Sequence, residues 1–156
     1  MKTFTHLDAT GEARMVDVTR KPPMSREAVA EGQIRLSPAT LELIESNSIA
    51  KGNVLATARL AGIMAAKRTG EWIPLCHPLA LTGCEVGFEF PSTRDRIVIR
   101  ASTRVVGPTG VEMEALTAVA ATALSIYDMC KAVDKAMEIG SIRLLSKTKE
   151  PFQPPD

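Results

Sequence analysis

The feature that most constrains the fold is the stretch from Thr109 to Met137, which contains no proline and no glycine after Gly110. Its apolar residues recur at helical spacing, and alanine is frequent among them. This pattern predicts one long, mostly buried helix around which the rest of the chain packs. At about 100° per residue, a more polar sector of roughly 60° runs along that helix. The sector contains Met113, Thr117, Leu124, Asp128, Lys131 and Lys135.

The charged residues of this sector have two interpretations. Asp128 and Lys131 are three positions apart, so they can form an ion pair on a solvated helix face, worth a few tenths of a kcal/mol. The same two side chains can also form a charged pair inside a functional cleft. The helix alone does not decide between an ordinary surface pair and a site.

The length of the predicted helix limits how a site can use it. With a rise of about 1.5 Å per residue, Glu112 and Glu114 lie about 21 to 29 Å from Asp128 and Lys131. A small substrate cannot contact both ends. If both ends are functional, either the ligand is long or a second copy of the chain supplies the opposite helix end.

Composition sets outer limits on the class of protein. The 156 residues suit one domain with an aliphatic core, because 45% are hydrophobic and only 4% are aromatic. A net charge of +1 argues against a dedicated nucleic-acid binder. Three cysteines without framework spacing indicate free thiols in a reducing compartment. With no signal peptide and no long apolar span, we expect a cytoplasmic protein that does not enter membranes.

The remaining sequence predicts an α+β fold. Residues 1–27 read as a polar, extended arm, residues 28–148 as the folded domain and residues 149–156 as a disordered tail. Ser37 is a suitable N-cap, and Gly140 is expected to end the long helix. Periodicity places strands at 28–36, 81–90, 95–106 and 141–146 and helices at 38–47, 53–68 and 109–137. This order is the ferredoxin-like split β-α-β arrangement, an antiparallel sheet with helices packed on one face.

The hairpin around residues 91–94 has one register in which charge and hydrophobicity both match. Pairing Phe90 with Asp95 places Glu89 opposite Arg96, and it brings apolar side chains together on the other face. We therefore predict this register for the strands at 81–90 and 95–106.

Several side chains outside the long helix are suited to chemistry. His77 lies in PLCHPL, where Pro74 and Pro78 stiffen the backbone, as a site requires when a ring must be held in place. Lys51 precedes Gly52 at a break between two helices, where a plain surface lysine is the usual interpretation. Cations near element ends would suit an anion such as a polyphosphate. They are Lys51, Lys67, Lys131, Lys135, Lys147, Arg26 and Arg104.

Longer motifs in the chain are more specific than any single residue. They are AKGNVLATARLAGIMAAKRT (50–69), IPLCHPL (73–79), GPTGVEMEALTAVAATALSIYDMCKAVDK (107–135), IGSIRLLSKT (139–148) and the opening FTHLDATGEARMVDVTRK (4–21). This combination resembles the MoaC family, the cyclic pyranopterin monophosphate synthases of molybdenum cofactor biosynthesis. The resemblance covers nearly the whole chain.

The resemblance implies an enzyme that converts (8S)-3',8-cyclo-7,8-dihydroguanosine 5'-triphosphate to cyclic pyranopterin monophosphate and releases pyrophosphate. It assigns catalysis to Lys51, Asp128 and Lys131 within a ferredoxin-like catalytic domain. It assigns substrate binding to Leu75, Cys76, His77, Met113 and Glu114, with Glu112, Lys67, Lys147, Lys21 and Arg26 as further contacts. It also implies a homohexamer, a trimer of dimers with each site at a dimer interface, and a radical SAM enzyme upstream.

The implied reaction suggests a role for each catalytic residue. Opening the purine-derived ring and closing a pterin require proton transfer, which Lys51 and Lys131 could perform if each other's charge and burial lower their pKa. Asp128 can orient the Lys131 ammonium and take a proton. The cations assigned to the triphosphate are Lys67, His77 and Arg26.

Other interpretations stay open at this level. The sequence requires no metal or other cofactor, although Mg²⁺ accompanying the triphosphate is compatible with it. A non-catalytic, nucleotide-binding regulatory module on the same fold would use the same basic residues, and turnover would distinguish it from an enzyme. An RNA-binding domain is disfavoured, because its strands would carry aromatic residues for base stacking.

Overall fold

The computed structural model describes residues 10–153 and shows one four-stranded antiparallel sheet with helices against it. The elements in chain order are β1 (Met24–Arg35), α1 (Pro38–Glu45), α2 (Val54–Lys67), α3 (Thr69–Trp72), β2 (Gly83–Glu89), β3 (Arg96–Gly107), α4 (Glu112–Cys130) and β4 (Glu138–Pro151). The strand order is β2-β3-β1-β4. This topology confirms the predicted ferredoxin-like split β-α-β fold.

The two central strands have one apolar and one charged face. Alternate residues of β1 and β3, such as Ala30, Ile34 and Ile99, are fully buried beneath the helices. On the opposite face Glu31 accepts hydrogen bonds from Arg100 and Arg143. Helices therefore cover only one face of the sheet, and ion pairs occupy the other.

The helical layer is built on a close crossing of α2 and α4. Gly62 of α2 faces α4, and a Cβ atom there would overlap Thr122 Oγ1 and lie 2.9 Å from the Ala118 carbonyl oxygen. The missing side chain lets the two backbones approach each other. Because α4 also contacts β1, β3 and β4, it is the central element that the sequence predicted.

Several predicted boundaries were wrong. β1 begins at Met24, so Arg26 lies in a strand and not in an arm, and α3 was not predicted at all. β4 extends to Pro151, so residues 149–151 are not a disordered tail; they pair with the beginning of β1 despite their polar sequence. Residues 1–9 and 154–156 lie outside the described part. Apart from these boundaries, the division into arm, catalytic domain and tail stays a prediction.

The long helix is shorter than predicted because a tertiary contact ends it. α4 ends at Cys130, and Gly140 is part of β4. The Asp134 backbone N–H still donates to the Cys130 carbonyl oxygen, but the Asp134 carboxylate accepts from Ser37 at the start of α1. The chain is thereby turned away from the helix axis toward α1.

The predicted hairpin register was wrong by two residues. Glu89 lies opposite Val98 rather than Arg96, which leaves every side chain on its predicted face. The Glu89 carboxylate reaches diagonally to Arg100, 3.6 Å away. Long side chains can therefore pair across the strands without being directly opposite.

Candidate active site

The first cluster of predicted residues lies at the C-terminal end of α4. Lys51 Nζ donates to Asp128 Oδ2 at 2.9 Å and to the Asp128 carbonyl oxygen at 2.8 Å. Lys131 Nζ lies 2.7 Å from Asp128 Oδ1. All three residues assigned to catalysis are thus in direct contact, with the carboxylate between two ammonium groups. We call them the lysine–aspartate cluster.

Local structure brings Lys51 to this position. The chain leaves α1 through Asn47 at φ 52° and Gly52 at φ 99°, both in the left-handed region. Ile49 is buried between them and anchors the loop. Asn53 then caps α2, where its side chain accepts from the Ala56 backbone N–H. A tight, anchored loop therefore carries the Lys51 side chain toward the end of α4.

The lysine–aspartate cluster is charged and open to solvent in the single chain. Hydrogen bonds from Lys131 and then Lys51 lower the pKa of Asp128 to about 2. The bond to Asp128 raises the pKa of Lys131, the opposite of the expected lowering. The side chains of Lys51, Asp128 and Lys131 are 47%, 59% and 55% exposed, so all three remain in contact with solvent in the chain alone.

A second cluster lines a cavity of about 600 Å³ at the other end of α4. Eight of the ten predicted substrate-binding residues line it: Lys21, Leu75, Cys76, His77, Glu112, Met113, Glu114 and Lys147. The structure therefore brings most of that set together. We call this space the main cavity.

His77 connects the PLCHPL segment to the chain preceding β1. Its Nε2 lies 2.8 Å from the Val16 carbonyl oxygen. Because a carbonyl only accepts, Nε2 carries the hydrogen in this contact. Val16 and Val18 also line the main cavity, and the Lys21 N–H donates to the Val18 carbonyl. This segment thus forms one wall of the cavity and places Lys21 there.

The two acidic residues at the start of α4 have opposite pKa shifts. Glu114 is 4% exposed, and burial, with a smaller contribution from the Glu112 charge, raises its pKa. Burial also acts to raise the pKa of Glu112, but a 2.8 Å hydrogen bond from Lys147 and further interactions bring the net shift below its ordinary value. The main cavity therefore presents one carboxyl group that resists ionisation beside one that favours it.

The other two predicted contacts line adjacent cavities. Arg26 lies beside Glu112 and Lys147 in a space of about 330 Å³. Its guanidinium donates to the carbonyl oxygens of Gly107 and Pro108, at 3.0 Å each, which fixes its orientation. Lys67 lines a cavity of about 400 Å³ whose wall includes Glu114. The three cavities thus share residues around the first turn of α4.

Sequence reasoning missed part of the cavity lining. The missed residues of the main cavity are Val16, Val18, Leu79, Thr109 and Gly110, and those beside Lys67 include Arg68 and Glu71. The apolar–polar–apolar alternation of residues 16–18 was the available signal. This signal is weak, because the surrounding residues are polar and show no sustained period.

The structure does not bring the two clusters together within one chain. Glu114 and Asp128 lie on the same helix, about 21 Å apart along its axis. The lysine–aspartate cluster and the main cavity therefore lie at opposite ends of α4. Among residues 10–153, no three His, Cys, Asp or Glu side chains are grouped closely enough to hold a metal ion.

Comparison with known proteins identifies the family. Residues 15–150 match the model of the MoaC family. A cyclic pyranopterin monophosphate synthase of Parvibaculum lavamentivorans is 56% identical over 147 residues, covering 94% of this chain and 92% of the relative. One from Pelotomaculum thermopropionicum is 57% identical over 148 residues, with 95% and 87% coverage. One from Chloroflexus aggregans is 58% identical over 144 residues, with 92% and 87% coverage.

These likenesses extend over both clusters. The matched range includes the lysine–aspartate cluster and all residues assigned to substrate binding. The relatives carry the name of an enzyme, which sets aside the alternative of a non-catalytic module. By sequence over nearly its whole length, this chain belongs to the MoaC family of enzymes.

Proposed function

We propose that this enzyme converts (8S)-3',8-cyclo-7,8-dihydroguanosine 5'-triphosphate to cyclic pyranopterin monophosphate and releases pyrophosphate, in molybdenum cofactor biosynthesis. The observation that carries the proposal is the lysine–aspartate cluster, in which both ammonium groups contact one carboxylate. Proton transfer to and from nitrogen and oxygen is what the ring rearrangement needs, and these groups are suited to it. The names of the relatives support the product.

The active site of this proposal is completed by a second copy of the chain. The lysine–aspartate cluster of one copy would face the main cavity of another, because α4 holds its two ends about 21 Å apart. A two-fold dimer forms two such sites at once, since each copy supplies both halves. The full assembly proposed is a homohexamer, a trimer of dimers.

Within such a site, closure would change the protonation of the lysines. In the single chain Asp128 is ionised, and its charge holds the proton on Lys131. Burial against a second copy would disfavour charged amines and bring their pKa down, as acid and base catalysis requires. Asp128 would orient the Lys131 ammonium, and Lys51 or Lys131 would exchange protons with the opening ring.

Cations around the main cavity would bind the triphosphate. Lys147 and Lys21 line that cavity together with His77, and Arg26 and Lys67 line its neighbours. Such groups stabilise the negative charge that develops as the cyclic phosphate forms and pyrophosphate leaves. We propose that protein side chains hold no metal in this reaction and that any Mg²⁺ arrives with the triphosphate.

The proposed substrate also implies an upstream enzyme and a cellular compartment for this protein. We propose that a radical SAM enzyme forms the cyclised nucleotide upstream, and that the protein works in the cytoplasm. The three free thiols, Cys76, Cys84 and Cys130, fit a reducing compartment. Over residues 10–153, no helix is both long and apolar enough to cross a bilayer. We propose neither a nucleic-acid nor a membrane partner.

Substitution of the lysines tests the proposal. The Lys51→Ala and Lys131→Ala variants should fold but release pyrophosphate from the cyclised nucleotide at least about 100-fold more slowly. Lys135→Ala is the matched control, because this exposed lysine lies four residues from Lys131 and lines none of the three cavities. A folded Lys51→Ala or Lys131→Ala variant that turns over at a near-native rate would refute the assignment.

A further inference from the structure

A carboxylate outside both clusters connects the elements that carry the two catalytic lysines. Asp134 Oδ2 accepts from the Ser37 backbone N–H at 2.9 Å and from the Thr40 hydroxyl at 3.1 Å. Its Oδ1 accepts from the Ala136 backbone N–H at 3.1 Å. One side chain therefore fastens the segment after α4 to the first turn of α1. We call these contacts the Asp134 clamp.

The clamp completes the hydrogen bonding at the N-terminus of α1, and its acceptor comes from a distant part of the chain. Ser37 is the N-cap, and its hydroxyl oxygen accepts from the Thr40 N–H. In a capping box, a Glu or Gln at the third helical position accepts from the N–H of the cap residue. That position is Thr40 here, whose side chain is too short for this bond. Asp134, 97 residues away, accepts it instead.

Short chain segments lead from the clamp to both lysines of the lysine–aspartate cluster. Lys131 is the C-cap of α4 and is three residues before Asp134. At the other end, α1 leads through buried Ile49 into the loop that carries Lys51. α1 is eight residues long and connects the clamp to that loop. The positions of both lysines thus depend on the contacts that Asp134 makes with the start of α1.

We propose that Asp134 is a positioning residue that fixes Lys51 and Lys131 relative to Asp128. Hydrogen bonds to Asp128 hold both ammonium groups, and packing holds neither, because both side chains are about half exposed. Whether these bonds can form depends on where the backbone segments place the two lysines. The importance of this geometry for turnover rests on the proposed function, whereas the mechanical coupling between the two loops does not.

Kinetics of Asp134 variants test the effect on turnover. Asp134→Ala should lower kcat about ten- to a hundred-fold, because small displacements of catalytic groups are costly. KM should change less than about twofold, since substrate binding is assigned to the main cavity and Asp134 is not part of its lining. Asp134→Asn should recover much of the loss, because its carbonyl oxygen can still accept from Ser37 and Thr40. Thr40→Val should give a smaller loss than Asp134→Ala.

A matched control separates positioning from stability. Glu31→Gln removes a carboxylate that two arginines hold on the outer face of the sheet and that lines none of the three cavities. It should cost stability but leave kcat unchanged. The proposal is overturned if folded Asp134→Ala keeps kcat within twofold, if kcat falls only as far as in Glu31→Gln, or if Asn restores nothing. Should Asp134→Ala fail to fold, the other two variants decide. A lower kcat in Thr40→Val than in Asp134→Asn would support the proposal, and an unchanged kcat in Thr40→Val would overturn it.

Hydrogen exchange tests the coupling without any substrate. In Asp134→Ala, amides should exchange faster not only at 133–136 but also around Gly52, whose N–H donates to the Ile49 carbonyl oxygen. Faster exchange confined to 133–136 would refute the coupling between the loops. If the unmodified protein does not act on the cyclised nucleotide, the proposed function fails, and this measurement still decides whether the clamp exists.

Discussion

Glu112 and Glu114 show how strongly the surroundings of a residue determine its charge. They are two residues apart in the first turn of α4, where acids are ordinarily explained by the helix dipole. Lys147 pairs with Glu112, whereas Glu114 is buried and its pKa is raised. The first turn of α4 therefore offers a substrate two carboxyl groups whose acidities differ in opposite directions from the ordinary value.

This difference predicts opposite effects of two isosteric substitutions. The folded state raises the pKa of Glu114, so this residue costs stability once pH exceeds its ordinary value of 4.5. Glu112 has a lowered pKa, so its contribution is present above 4.5 and is lost as pH falls through the folded value. At about pH 7, Glu114→Gln should be more stable than the unmodified protein and Glu112→Gln less stable.

Urea unfolding at about pH 7 and about pH 4 measures both effects. The difference between Glu114→Gln and the unmodified protein should grow with pH, and it should be negligible at the lower pH. The difference for Glu112→Gln should shrink on acidification. Equal shifts of the same sign in the two variants would show that local charge does not distinguish them.

At the scale of elements, the crossing of α2 and α4 determines how the helical layer packs. Replacing glycine by alanine inside a helix usually stabilises it by about 0.5 to 1 kcal/mol. At Gly62 the added methyl would overlap Thr122 and press on the Ala118 carbonyl. Steric overlap should reverse the usual sign, because backbone atoms cannot move aside as a flexible side chain can.

We therefore expect Gly62→Ala to lower the free energy of unfolding by about 1 to 3 kcal/mol. Gly87→Ala is the matched control, since a Cβ at Gly87 would meet no atom within 4 Å. Its effect should stay within about 1 kcal/mol. Denaturant unfolding of both variants checks the prediction. A Gly62→Ala protein as stable as the unmodified one would mean that the helices can separate without cost.

The elements also show what could be predicted from the sequence. The buried faces of the strands and the positions of the longer helices followed from the periodicity of apolar residues, because burial on one side of an element imposes that periodicity. The hairpin register did not, because the Arg100 side chain reaches Glu89 diagonally. The end of α4 did not either, because Asp134 is captured by Ser37, a contact between residues 97 positions apart. Local patterns predict local structure, and these errors lie where distant segments meet.

At the scale of the whole molecule, the contacts of the site show the same limit: the local ones were predictable from the sequence and the distant ones were not. The contact between Asp128 and Lys131 follows from their helical spacing, whereas that of Lys51 with Asp128 spans 77 residues. Only the resemblance to a family placed Lys51 among the catalytic residues. Helix length alone predicted that the two clusters would be separate, and the structure confirms this separation.

A site shared between copies predicts recovery of activity on mixing. Asp128→Ala disables the lysine–aspartate cluster, and His77→Ala disables the main cavity, so each variant alone should be inactive. In a mixed dimer, one site combines both defects and the other combines two intact halves. Random reassociation gives mixed dimers about half of the time, each with one working site. Activity should therefore return to about a quarter of the native value.

Pyrophosphate release after joint dissociation and reassociation measures this recovery. Each variant treated alone in the same way is the control, because refolding itself must not restore turnover. A mixture of Asp128→Ala with Lys131→Ala should stay inactive, since both substitutions disable the same cluster and no combination assembles two intact halves. If the first mixture also stayed inactive while mixed dimers were present, each chain would have to form its site alone. The distance along α4 would then need another explanation, such as a ligand long enough to span the helix.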